Sequence, residues 1–221
     1  MDNRRISTKD FIYQELKKQI IEFELLPEQS INEKELSEKL EISRTPIREA
    51  LQRLELEELI VRSPNGRLKV APISTNEAEE IFSVRSLLEG LVTKNATLNA
   101  TQDDIEELRL LTELLVKSAE ESNNDAVIFY GDRIHHYIYR ISKNHTAVKI
   151  LNNMNDHIMR YRRIGPKTTK NRSLDAAKEH KNLYEAIAEK DSNKAGKLMC
   201  EHINNSLEAA IKSIEIHLNK N

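Results

Sequence analysis

The sequence predicts a mainly α protein in two parts: a small N-terminal unit of three helices closed by a β-hairpin, then an all-α antiparallel bundle of about six helices. Three observations carry this. The 221 residues include only 5 glycines and 5 prolines, too few for an all-β sandwich or barrel, which needs a turn signal roughly every 8–12 residues. Leu, Ile, Glu, Lys and Asn fill long unbroken runs, as in helices. The punctuation is also uneven: Pro46, Pro64, Pro72 and Gly66 cluster, whereas no proline lies between Thr75 and Ile164. The boundary is read near Pro72-Ile73-Ser74, giving units 1–74 and 75–221.

In the first unit, Phe11, Leu16, Ile20 and Phe23 keep helical spacing behind Ser7-Thr8, two N-cap candidates. A short helix follows from about Glu33 to Leu40, with Leu36 and Leu40 on its apolar side. After the joint Glu41-Ile42-Ser43-Arg44, a third helix begins near Thr45-Pro46, where the first turn needs no N–H from proline. Ile47, Leu51, Leu54 and Leu59 continue its buried side. Ile60-Val61-Arg62 and Leu68-Lys69-Val70 then flank Ser63-Pro64-Asn65-Gly66-Arg67, and Asn-Gly between β-formers signals a hairpin.

In the second unit, Ser74 with Glu77 and Thr101 with Asp104 read as capping boxes that open helices to about Asn99 and Ser122. Further helices are expected at about 125–142, 146–164, 173–189 and 192–218. The stripe Ile81, Val84, Leu88, Leu91 is the expected buried side of the first. Short joints make the six an antiparallel bundle with an enclosed interior.

Charge narrows the function classes. Thirty-four basic against thirty-six acidic residues give −2, which excludes a general polycation but leaves room for a local basic face. Cys200 has no partner for an internal disulfide. No run approaches the ~18 apolar residues of a membrane span, and the N-terminus MDNRRISTKD lacks an apolar signal core. A cytoplasmic protein without membrane contact is expected.

Two helices joined by a tight turn and followed by a hairpin form the pattern of a winged helix-turn-helix, in which the first turn of the second helix reaches base edges. That turn carries Ser43, Arg44, Thr45 and Arg48. Arginine can donate two bonds to guanine, and Ser and Thr can donate to phosphates or bases. Gly66 and Arg67 stand at the wing tip. The bland alternative is a solvated face: six basic and four acidic residues lie between 43 and 70, and Glu49 with Arg53 has the i,i+4 spacing of a surface ion pair. The stretch INEKELSEKLEISRTPIREALQRLELEELIVRSPNGRLKV resembles the winged helix of the GntR family of bacterial regulators. That resemblance implies contact with double-stranded DNA from Lys34, Ser43, Arg44, Thr45, Arg48 and the wing around Gly66. Lys34 stands where relatives often have arginine, a change that a phosphate contact survives and a bidentate base contact does not.

In the second unit, Asp132 and His136 lie four apart on one expected helix, and His180 and His202 lie on two others. By residue type, a carboxylate and three imidazoles suit zinc, nickel, manganese or iron(II); by spacing alone, an Asp and a His at i,i+4 are more often a surface pair, and distant histidines assemble into many imaginary sites. IFSVRSLLEGLVTKNAT, GDRIHHYIYRISKNHTAVKIL, KEHKNLYEAIAEKD and MCEHI are similar to the FCD effector domain of the FadR-type branch. The resemblance implies that Asp132, His136, His180 and His202 hold a divalent metal, zinc first, beside a pocket for a small organic acid. His135 departs from the pattern, because relatives usually carry phenylalanine there. His145, His157 and His217 match no such position and are read as solvated or structural. Arg85 is the candidate for the acid's carboxylate, or else a structural partner of Glu89. Arg160, Arg162 and Arg163 add positive charge of unresolved facing, and Tyr137 and Tyr139 line the pocket or pack.

The reading reached is a non-enzymatic regulator: a homodimeric repressor on a pseudo-palindromic operator, responsive to a metabolite. Two alternatives compete. One is a metal-dependent hydrolase or isomerase of small acids, which lacks HExxH, GxSxG and a phosphate-cradling glycine loop and leaves the winged helix without a role. The other is a constitutive DNA-binding dimer without an effector.

Overall fold

The structure is a computed structural model that describes residues 7–168 and 171–218, and their side chains apart from 164–168 and 217–218. His217 therefore lies outside the described side chains. The chain divides into two compact units, Met1–Ile73 and Ser74–Asn221.

The first unit runs α1 (Thr8–Ile21), β1 (Ser30–Ile31), α2 (Glu33–Leu40), α3 (Arg44–Leu56), β2 (Ile60–Arg62) and β3 (Leu68–Val70). Ser7 caps α1, its Oγ accepting from Asp10 N. The buried side of α1 is Ile12, Tyr13, Leu16 and Ile20. The expected stripe is corrected at both ends: Phe11 is exposed, and Phe23 sits past the helix with φ 60°. Glu41 ends α2 in the left-handed region, and Ser37 Oγ donates to Ile42 O across the turn into α3. Ile47, Leu51, Leu54 and Leu59 are all buried and close the core with Ile60, Leu68 and Val70.

The hairpin forms where expected, although its turn differs from an Asn-Gly pair. Gly66 N donates to Ser63 O, which makes Pro64 and Asn65 the central residues and leaves Gly66 to follow at φ +80°. Proline's fixed φ suits the first central position of that turn, and the left-handed residue after it favours glycine. The two-residue strand β1 adds to β3, with Ser30 opposite Lys69 and Ile31 opposite Leu68. Two residues carry no alternation, so nothing local announces it.

The second unit comprises α4 (Thr75–Asn99), α5 (Gln102–Glu120), α6 (Asn124–Ser142), α7 (His145–Thr168), α8 (Arg172–Ala188) and α9 (Ser192–Leu218). The box at Thr101 is complete, with Asp104 returning to the Thr101 backbone. At Ser74 the return half is indirect: Ser74 N donates to the Tyr161 hydroxyl, which donates to Glu77 Oε2 at 2.9 Å. The stripe expected on α4 is also corrected. Val84 and Leu91 are exposed, while Phe82, Arg85, Glu89, Val92, Thr93 and Ala96 are buried. Because α4 packs against α6, α7 and α9 and turns charged groups inward, its apolar residues do not mark its inner side.

Candidate functional site

Each unit carries one candidate site. In the first it is the N-terminus of α3. Ser43 is the N-cap but makes no side-chain cap bond, and the first turn of α3 contains no acidic residue, unlike the first turns of α1, α2, α4 and α5. The orphan N–H groups and the positive end of the helix dipole therefore stand undiluted, ready for an anion. Ser43, Arg44, Thr45 and Arg48 are all exposed there. Arg48 is held by Glu33 of α2, Nη2 to Oε2 at 3.1 Å. Lys34 is exposed, 3.8 Å from Glu38. At the wing, Gly66 and Arg67 are exposed, and Arg62 ties Gly66 O to Glu55. The Glu49–Arg53 pair expected from spacing is not made: Glu49 meets Lys9, and Arg53 meets Glu57 and Asp10 while stacking 3.6 Å from the Tyr13 ring.

The second site is a cluster of His135, His180 and His202, contributed by α6, α8 and α9. All three are buried, and one ring nitrogen of each lies within 4.8 Å of the others. Every Nδ1 is already committed: His135 to Glu89 Oε2 at 2.7 Å, His180 to Ala176 O at 2.7 Å, and His202 to Glu179 Oε2 at 2.6 Å. These acceptors fix each ring as the tautomer with a free Nε2. The Nε2 atoms of His135 and His180 are buried without a hydrogen-bond partner. Orphaned polar atoms of this kind are costly in an apolar interior, and a shared cation satisfies them together.

The surroundings suit metal ligation. Burial pushes His135 and His202 down to about 4, against the pull of Glu89 and Glu179, and pushes His180 well below its ordinary value. All three are therefore neutral near pH 7 and can ligate without first losing a proton. Burial raises the Glu89 carboxyl, but His135, Arg85 and the Tyr139 hydroxyl hold it well below the usual carboxylate range. Burial likewise opposes ionisation of Glu179, yet His202 and Arg172 hold it at about 2. Both acids are thus carboxylates accepting from His135 and His202, the arrangement that would orient imidazoles and raise their basicity were they to hold a metal.

Several expectations change here. His136 is 44 % exposed and lies 3.5 Å from Asp132; neither joins His180 and His202, and the α6 member of the cluster is His135 instead. Asp132 pairs with Arg162 Nη1 at 3.0 Å. Arg85, 2 % exposed, pairs with Glu89 at 2.9 Å, and the arginines on the neighbouring cavity are Arg162 and Arg172. That cavity, of about 50 Å³, is also lined by Val127, Ile128, Gly131 and Tyr161. Tyr137 and Tyr139 donate to Asp104 and Glu89 rather than lining it. His157 sits 3.4 Å from Glu77. A signal for His135 was available: it stands seven residues after Ile128 and three before Ile138, on the apolar side of α6, whereas His136 falls off that side. The supporting acids Glu89 and Glu179 had no comparable signal.

Comparison with known proteins agrees with both halves. Residues 8–70 match the family described as bacterial regulatory proteins, gntR family, and residues 80–205 match the FCD domain. The chain is 26 % identical over 200 residues to the uncharacterized HTH-type transcriptional regulator YdhC of Bacillus subtilis strain 168, covering 89 % of this chain and 88 % of that one. It is 25 % identical over 198 residues to the HTH-type transcriptional repressor GlaR of Escherichia coli K12, covering 86 % and 90 %. The solved structure of E. coli McbR/YncC shares the fold, with a TM-score of 0.73 and 24 % identity over 94 % of this chain and 99 % of that one. Among the described residues no helix is long and apolar enough to cross a membrane. With an anion-ready helix on the first unit and a helical FCD domain as the second, the chain belongs to the GntR family: it is a DNA-binding transcriptional regulator and not an enzyme.

Proposed function

We propose that this regulator is a homodimeric repressor whose helical unit holds a divalent metal ion, zinc first, on His135, His180 and His202, with a small organic acid in the adjoining cavity. The observation that carries the metal reading is the convergence of one ring nitrogen from each of three buried histidines, with the Nδ1 atoms engaged and the Nε2 atoms of His135 and His180 lacking a hydrogen-bond partner. A bound ion would supply positive charge and a coordination position for an oxygen ligand. The repressor reading draws on relatives such as GlaR, which is named a repressor. DNA contact is assigned to Lys34, Ser43, Arg44, Thr45, Arg48, Gly66 and Arg67. One such surface reads few base pairs, and a two-fold dimer on a pseudo-palindrome doubles it.

Metabolite binding would act by shifting populations, and only through its differential affinity for the two states. Tyr161 offers a route. Its ring lines the cavity, while its hydroxyl bridges Ser74 N and Glu77 at the first turn of α4, the residues that directly follow the DNA-reading unit in the chain. An acid displacing Tyr161 would loosen that turn and relieve repression.

Metal content of purified variants tests the centre. His135→Ala, His180→Ala and His202→Ala should each lose the ion that the parent retains, and His136→Ala should keep it. Loss in His136→Ala with retention in His135→Ala would overturn this ligand set.

A further inference from the structure

One side chain fastens the wing to α3. Arg62, at the end of β2, donates through Nε and Nη2 to the two carboxylate oxygens of Glu55, at 3.1 and 2.9 Å. Its third nitrogen, Nη1, donates to Gly66 O at 3.1 Å. All three guanidinium nitrogens are thus engaged within the protein, two of them in the parallel geometry that lysine cannot copy. Glu55 stands seven residues after Arg48, on the same face of α3 and about 10 Å along it. Arg62 therefore ties the wing tip to the helix face that carries Arg48. The bonds within the tip do not have that reach. Gly66 N donates to Ser63 O, Ser63 N to Arg67 O and Arg67 N to Asn65 Oδ1. Each joins residues of the turn to one another, so they shape it without fixing where it stands against α3.

Neither stability nor charge accounts for this pair. The side chains are 51 % exposed for Arg62 and 31 % for Glu55, and ion pairs open to water add little to folding. A carboxylate on a face that meets phosphates also repels them, so Glu55 weakens DNA contact unless it does something else there.

We infer that Glu55 and Arg62 are positioning residues for DNA recognition: they hold the wing tip in register with the first turns of α3, so that Arg67 and Arg48 meet one duplex together. The inference rests on the assignment of DNA contact to Arg48 and Arg67 above. It adds that an acid on the reading face strengthens binding. A wing ordered before it meets DNA removes a conformational cost that binding would otherwise bear.

The test uses the full-length chain and a duplex that the parent selects from a random-sequence pool, with a scrambled duplex beside it. Fluorescence anisotropy over a range of salt reads affinity and its salt slope. Glu55→Gln should lower affinity for the selected duplex about tenfold, although it removes a negative charge. The slope should stay as in the parent, because neither residue of the pair neutralises a phosphate. Arg62→Lys, which keeps the charge but not the fork, should lose as much as Arg62→Met. The double variant Glu55→Gln with Arg62→Met should lose no more than either alone. Unchanged affinity in Glu55→Gln, or tighter binding to both duplexes, would overturn the inference and leave Glu55 a matter of charge. A slope lowered by about 1 per contact in Arg62→Met, with Arg62→Lys near the parent, would make Arg62 a phosphate contact instead. If the parent selects no duplex, or Arg48→Ala and Arg67→Ala bind it like the parent, the contact assignment fails and the inference with it.

Discussion

At the N-terminus of α3, Ser43, Arg44, Thr45 and Arg48 stand in water on one helical turn, and Arg48 keeps only an exposed partner, Glu33. In the second unit, His135, His180 and His202 are buried on three helices, each with an acceptor fixed behind it. The difference teaches where each kind of site stores its organisation. An exposed charge is solvated whether or not its partner is present, so the first turns of α3 need no supporting shell and their groups act nearly independently. A buried polar cluster must be pre-arranged, because every unpaired polar atom there costs free energy. Substitutions should accordingly be close to additive and salt-sensitive in the first site, and strongly coupled in the second.

Four measurements would sharpen or break that comparison. Arg48→Ala should have the largest effect. A lost base contact is worth roughly 1–3 kcal/mol and occurs in both half-sites of a dimer, so operator affinity by fluorescence anisotropy should fall on the order of 100-fold with the helical circular dichroism intact. Unchanged affinity would remove Arg48 from the interface. Next, Glu89→Gln should weaken metal binding about 10- to 100-fold by calorimetry without touching a ligand; no change would show that the carboxylate behind His135 is only structural.

Tyr161→Phe should lower stability by about 1 kcal/mol, the worth of a hydrogen bond, on denaturant titration. It should also shrink the effect of acid on operator affinity, and a full effect in the variant would break the proposed route through Ser74. Smallest, Arg67→Ala should reduce the slope of log affinity against log salt by about 1 per lost phosphate contact, with operator preference unchanged. A steady slope would place the wing tip off the backbone.

Much of the molecule was legible in its sequence. The bounds of α2 and both hairpin strands follow from caps, Pro46 and Gly66, and the buried positions Ile47, Leu51 and Leu54 follow from 3.6-residue spacing. The exposed turn at the start of α3 was placed for the same reason, since Ser43, Arg44, Thr45 and Arg48 are near neighbours in the chain. The histidine cluster was half legible. His180 and His202 do meet in it, whereas Asp132 and His136, paired by i,i+4 spacing, lie off it, and His135 stands there instead. The apolar residues around His135, and not the spacing of ligand types, decide which ring points inward.

What the sequence by itself determined is the local structure: where helices begin and end, where the hairpin turns, and which short segment carries Arg44 and Arg48 on a helix's first turns. These depend on interactions within a few residues, so composition and spacing are enough. Tertiary structure alone decided the rest. It set Arg85 and Glu89 inward on α4 and left Val84 and Leu91 outside. It bridged Ser74 to Glu77 through Tyr161 from α7, and it brought imidazoles from α6, α8 and α9 to one point with Gly131 beside them. A buried polar centre draws its energy from partners distant in sequence, and only the packing of the helices selects which partners those are.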